Sequence, residues 1–111
     1  EAHEVPGAVV GMPGAPGQVT ARVRVVRSLD ELDRLQAGEV LVAPITTPAW
    51  TLAFGRAAAV VTDTGSIASH ASIVAREYGI PAVVSTGDGT RRLVDGARVM
   101  VDGSVGVVLP A

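Results

Sequence analysis

The stretch AAAVVTDTGSIASHASIVAREYGIPAVVS, residues 57–85, decides how this chain folds. Ala57 to Val61 is apolar without alternation, the pattern of a strand covered on both faces in a parallel sheet. After a polar loop, Ala71, Val74, Ala75 and Tyr78 recur at helical spacing, and Gly79 followed by Pro81 ends the helix. Pro81 to Ser85 reads as a second buried strand. Strand, helix and strand in that order predict two parallel strands joined by a right-handed crossover.

Upstream, Val19, Ala21, Val23 and Val25 alternate with polar residues, which predicts a half-buried strand over Val19 to Val26. Ser28 to Glu31 has the form of a capping box, and Leu29, Leu32 and Leu35 follow at helical spacing up to Gly38. Glu39 to Ala43 reads as a strand. Thr47 before Pro48 marks the start of a second short helix running through Phe54. Downstream, ARVMV and SVGVVL flank Asp102-Gly103, which predicts a closing hairpin. Residues 1–17 carry three Pro and four Gly with little periodicity, so they read as an interdomain tether, with the domain proper over 18–111.

A length of 111 residues suits one domain, and its 48% hydrophobic content suffices for one core. Only Trp50, Phe54 and Tyr78 are aromatic, so Val, Leu, Ile and Ala must build that core, and an α/β fold is expected. The nine basic residues are all Arg and scattered, and the net charge is −2, which argues against a nucleic-acid partner. The longest apolar run, Ala57 to Val61, is far below the ~20 residues of a membrane span. With no Cys, neither a disulfide framework nor a thiol nucleophile is available. These features together predict a soluble, cytoplasmic chain. Its start at Glu1 suggests a piece of a longer polypeptide.

The loop from Thr62 to Ala68 leaves the carboxyl end of a buried parallel strand and enters a helix, where open α/β sheets place ligands. His70 falls in that helix's first turn. Unpaired backbone N–H groups and the positive helix end there favour a phosphate-sized anion, and Gly65, Ser66, Ala68 and Ser69 are small enough to let one approach. A surface histidine with no task is the plainer alternative. A metal centre is disfavoured, because His3 lies in the tether and no HExxH or paired Asp cluster exists. A serine hydrolase lacks its G-x-S-x-G elbow, and without Lys there is no Walker motif.

The run GSIASHASIVAR, Gly65 to Arg76, followed by EYGIPAVV, resembles the signature of the phosphohistidine mobile domain of the phosphoenolpyruvate-utilising enzymes, usually G-G-x-T-S-H-A-A-I-V-A-R. GMPGAPGQVTARVRVV, LVAPITTPAWTLAF and DGARVMVDGSVGVV resemble other parts of that domain, so the likeness covers most of the chain. The TTPAW, VTDTG and AREYGIPAVV elements look closest to the phosphoenolpyruvate synthase and rifampicin phosphotransferase branch. The resemblance implies a three-layer swivelling β/β/α domain with a partly parallel central sheet. It also implies that His70 is a phosphorylated nucleophile shuttling between two sites. Gly65, Ser69 and Arg76 match the signature, and together with Ser66 and Ser72, which lie within the same run, they are expected to bind or support the phosphoryl group. No cofactor or metal is expected within the domain. ATP and Mg²⁺ are implied in a partner ATP-grasp domain, and the acceptor, pyruvate or another molecule, in a second partner domain. A free-standing phosphocarrier and a degenerate docking module are the alternatives. Among the departures from the signature, Ser66 replaces its second glycine and Ala68 its threonine.

Overall fold

The computed structural model describes residues 7–111. Eight strands run in the order β1 (Val9–Val10), β8 (Val107–Pro110), β7 (Arg98–Asp102), β3 (Gln18–Val25), β4 (Val40–Ala43), β5 (Ala59–Thr62), β6 (Ala82–Val84) and β2 (Met12–Ala15). Strands β3, β4, β5 and β6 are mutually parallel, and the remaining pairs are antiparallel. Helix α1 (His70–Tyr78) connects β5 to β6, so the strand–helix–strand unit read from residues 57–85 is present.

Period-two alternation sorts the central strands into two cores. Leu41, Ala43, Val60, Ala82 and Val84 point to one side, where they pack with Trp50, Phe54, Ala71, Val74 and Ala75 from the helical segments. Val40, Val42, Ala59, Val61 and Val83 point to the other, against Val9, Val23, Val99, Val101 and Val108 of the outer strands. The result is a helical layer, a mostly parallel layer and an antiparallel layer. That is the three-layer α/β arrangement expected, and it explains why β4, β5 and β6 show no polar alternation: every residue in them is buried.

Helix α1 buries Ala71, Ser72, Val74 and Ala75, with Val74 alone worth about 1.5–3 kcal/mol of apolar burial. It stops at Gly79, whose φ of +72° only glycine adopts cheaply and whose N–H bonds the Arg76 carbonyl. The segments expected to be helical at 29–35 and 48–54 are 3₁₀ helices, Leu29–Arg34 and Pro48–Gly55, closed by i→i+3 bonds such as Trp50 N–H to Thr47 O at 2.8 Å. The expected capping box is incomplete. Ser28 makes no side-chain cap, and the Glu31 carboxylate reaches past it to accept from the Arg27 N–H.

The tether reading of residues 1–17 is corrected in part. Residues 1–6 lie outside the described residues, whereas Val9–Val10 and Met12–Ala15 are strands of the domain itself. They occupy opposite ends of the strand order yet are separated only by Gly11, so this one residue carries the chain from one layer to the other. A Cβ on Gly11 would lie 2.3 Å from the Val84 carbonyl oxygen, which leaves glycine as the residue that fits. Pro13 sits in an edge strand, where a missing N–H is tolerated. The β7–β8 hairpin forms as expected, and the Asp102 carboxylate accepts from the Ser104 and Val105 amides inside its turn.

Candidate functional site

Strand β5 delivers the chain to the loop Asp63–Ser69 at the carboxyl edge of the parallel strands, and α1 leaves from there. Asp63 is tied down by accepting from the Thr90 N–H at 2.9 Å and the Thr90 hydroxyl at 2.6 Å, which fixes the loop to the four-residue helix α2 (Gly89–Arg92). Gly65 has φ of +123°, and a Cβ there would stand 2.9 Å from Ser69 Oγ, so both conformation and space call for glycine. The Ser66 carbonyl gathers three donors: the Ser69 N–H at 3.0 Å, the Ser69 hydroxyl at 2.8 Å and the Ser72 hydroxyl at 2.7 Å. Ser66 itself does not need a glycine conformation, because Ser85 is the only non-glycine residue with positive φ among the described residues.

His70 is the first residue of α1 and is half-buried. Its Nδ1 lies 2.9 Å from Thr46 Oγ1 and its Nε2 lies 3.2 Å from Thr51 Oγ1. Phe54, buried beneath, meets the ring edge-on with centroids 5.8 Å apart and planes at 88°. Three contacts therefore fix both the plane and the position of the imidazole.

The hydroxyls also favour one tautomer. Thr51 donates its proton to the Pro48 carbonyl at 2.8 Å, so toward His70 it acts as an acceptor and suits Nε2–H. Thr46 then donates to an unprotonated Nδ1. Because a hydroxyl can reverse its role, the opposite tautomer, with Nδ1–H donating to Thr46 and a lone pair on Nε2, needs no movement of Thr46.

Ile45, Thr46, Thr62, Thr64, Gly65, Ser69 and Ala71 line a cavity of about 400 Å³ beside the ring, and none of them carries a charge. The amides of His70, Ala71 and Ser72 precede the first helical bond, from Ile73 N–H to Ser69 O at 3.0 Å, so the positive end of α1 opens on this side. The donor set suits a small anion. It offers neither the cationic groups that a nucleoside triphosphate requires nor, among the described residues, a cluster of three His, Asp or Glu able to hold a metal ion.

Of the residues singled out in the sequence, Gly65 and Ser69 share the cavity with His70. Ser66, Ser72 and Arg76 do not. Ser72 is fully buried, and its hydroxyl is spent on the Ser66 carbonyl. Arg76 donates to the carbonyls of Gly14 and Ile67. The sequence reading missed Thr46, Thr51 and Phe54 as partners of the imidazole. Their only signal was the TTPAW element, whose Thr-Pro pair marks a helix start at the neighbouring strand's carboxyl end.

Residues 35–106 match the family described as "PEP-utilising enzyme, mobile domain". This chain belongs to that family. As a PEP-utilising mobile domain it has relatives of several kinds. It is 53% identical over 100 residues to the chondramide synthase cmdD of Chondromyces crocatus, covering 90% of this chain and 3% of that protein. It is 50% identical over 101 residues to the phosphoenolpyruvate synthase of Aeropyrum pernix, covering 90% and 12%. The rifampicin phosphotransferase of Streptomyces sviceus is 42% identical over 102 residues, covering 92% and 12%. The chain thus spans only a small part of these much longer relatives, and both branches suggested by the TTPAW and AREYGIPAVV elements are among them. No helix among the described residues is long and apolar enough to cross a membrane.

Proposed function

We propose that this mobile domain is the phosphoryl carrier of a multidomain phosphotransferase, in which His70 takes a phosphoryl group at one site and delivers it at another. The observation that carries this reading is the placement of His70: a half-buried imidazole with both nitrogens held, at the positive end of α1, beside an uncharged cavity. Nε2 first gives up its proton to solvent and Nδ1 takes one; in the Nδ1–H tautomer so formed the Nε2 lone pair makes the N–P bond as the donor's P–O bond breaks, and the proton stays on Nδ1, bonded to Thr46. Catalysis of this kind rests on positioning and charge stabilisation, and the first amides of α1 and the small residues Gly65 and Ser69 serve the phosphoryl oxygens.

The relatives' much greater lengths support a setting among other domains. ATP and Mg²⁺ belong to a partner ATP-grasp domain, since the cavity here lacks any cationic side chain for a triphosphate. A second partner holds the acceptor, pyruvate or another nucleophile. Alone, the domain turns nothing over.

The test mixes this chain with the ATP-grasp domain of a phosphoenolpyruvate synthase and ATP labelled in its transferable phosphate. The wild type takes up acid-labile, base-stable label, and His70→Ala takes up none. Label that persists in His70→Ala would overturn the assignment. Wild-type chain that docks to the donor but stays unlabelled would instead mark a degenerate docking module.

A further inference from the structure

We propose that Arg76 is a positioning residue that ties strand β2 to the loop carrying His70, so that the set of β2 fixes the set of the imidazole. This inference rests on His70 being the reactive group, but its structural content does not.

The tie originates in an irregularity of the sheet. Along β2 the pairing with β6 passes from Pro13↔Val83 to Ala15↔Ala82, which leaves the buried Gly14 outside the ladder. A bulged residue loses its strand partner, and a buried carbonyl without a donor is costly. Arg76 supplies the donor, with Nη1 2.6 Å from the Gly14 oxygen. Its other terminal nitrogen donates to the Ile67 carbonyl at 2.9 Å, in the loop three residues before His70. One guanidinium thus spans two carbonyls from separate parts of the chain, a geometry that a planar fork provides and an ammonium does not.

A second contact runs alongside. A Cβ on Gly14 would lie 2.7 Å from Ser72 Oγ, so β2 and α1 touch at this point, and that same hydroxyl holds the Ser66 carbonyl. Both paths begin at Gly14 and end in the segment Ser66–Ser69 that leads into the first residue of α1. Arg76 has no contact with the cavity at His70. Its place in the signature is therefore explained by holding the loop rather than by touching a phosphoryl group.

The experiment compares this chain with Arg76→Lys, which keeps the charge and loses the fork, using amide hydrogen exchange and the ring resonances of His70. The expected result is a loss of protection of about tenfold or more at Ser69 and at Ala15 together, the worth of one charge-assisted hydrogen bond. The amides of Val60 and Val61 in β5 keep their protection, and the His70 ring resonances shift. Unchanged His70 resonances, loss on one side of the tie only, or an equal loss throughout the sheet would overturn the proposal. Should Arg76→Lys fail to fold, Arg76→Gln is read by the same pattern. None of these outcomes depends on phosphorylation, so a wild type that takes no label from a donor counts against the reactive role of His70 and leaves the tie to be judged by exchange.

Discussion

Replacing Thr46 with valine keeps the shape of the side chain and deletes the one hydroxyl within reach of His70 Nδ1. Thr46 is almost completely buried, so no solvent stands ready to take its place. In the resting protein the lost bond joins neutral groups, and the stability cost is about 0.5–1.5 kcal/mol. In the proposed transfer the balance differs: as Nε2 bonds to phosphorus the ring gains positive character, and the Nδ1–H to Thr46 bond becomes charge-assisted. Such bonds are worth about 1.5–3 kcal/mol, so the barrier rises by the difference, about 1–1.5 kcal/mol, which at 1.36 kcal/mol per decade predicts a rate of phosphoryl acceptance about 5- to 13-fold below wild type. The assay is single-turnover labelling from an ATP-grasp donor, with urea unfolding run in parallel to measure the stability change. A Thr46→Val rate within about twofold of wild type, in a folded protein, would refute the claim that Nδ1–H is held by Thr46 during transfer.

Thr51→Val has a smaller effect on the same rate, less than about fivefold, because in the proposed transfer the Thr51 hydroxyl must leave Nε2 before phosphorus arrives; a loss exceeding that of Thr46→Val contradicts the tautomer assignment. Gly103→Ala is severely destabilising, since its Cβ would fall 1.8 Å from the Ala15 carbonyl oxygen, and a loss of about 1–3 kcal/mol or more, from overpacking, should appear as a lowered melting temperature. Acid stability depends on two carboxyls. The Arg24 guanidinium, bonded at 3.1 and 3.0 Å, holds Glu39 below its ordinary range despite partial burial. Burial pushes the Asp95 carboxyl up, but the Val25 N–H and Arg34 more than offset it, and the net shift is downward. A carboxyl depressed by folding contributes stability in full above its unfolded pKa of about 4 and loses it as pH falls through the folded value. Glu39→Gln therefore flattens the loss of urea stability on acidification; an unaltered acid slope refutes the role of the Arg24 pair.

The strand–helix–strand unit was legible because residues 57–85 obey local rules: an apolar run, a helical repeat, then Gly79 and Pro81. The two-faced burial of β5 followed from its lack of alternation, and β6 was legible as a buried strand, whereas residues 39–43 showed only that β4 is a strand. Strands β1 and β2 were not legible, since they are two and four residues long and contain or flank Gly11, Pro13 and Gly14, residues that ordinarily signal a linker. Only long-range pairing with β8 and β6 makes them strands. Helix α2 went unseen for a similar reason, because its amide partner is Asp63, across the loop. At the site, His70 and Gly65 were legible from the loop-to-helix pattern. Thr46 and Thr51 precede His70 by 24 and 19 residues, and nothing short of the tertiary fold brings them to its ring. Serine is accommodated at position 66, where the signature has glycine, because the backbone there needs no positive φ. For Ala68, the structure gives no contact that a threonine would restore.

The central claim is that His70 Nε2 carries the phosphoryl group. Nitrogen-15 spectra of the imidazole, recorded before and after loading by an ATP-grasp donor, test it most directly. The expected spectra show a protonated Nε2 in the resting ring and, after loading, phosphorus coupled to Nε2 with the proton on Nδ1. Phosphorus on Nδ1, on a hydroxyl such as Thr51 or Ser69, or on no group of this chain would contradict it.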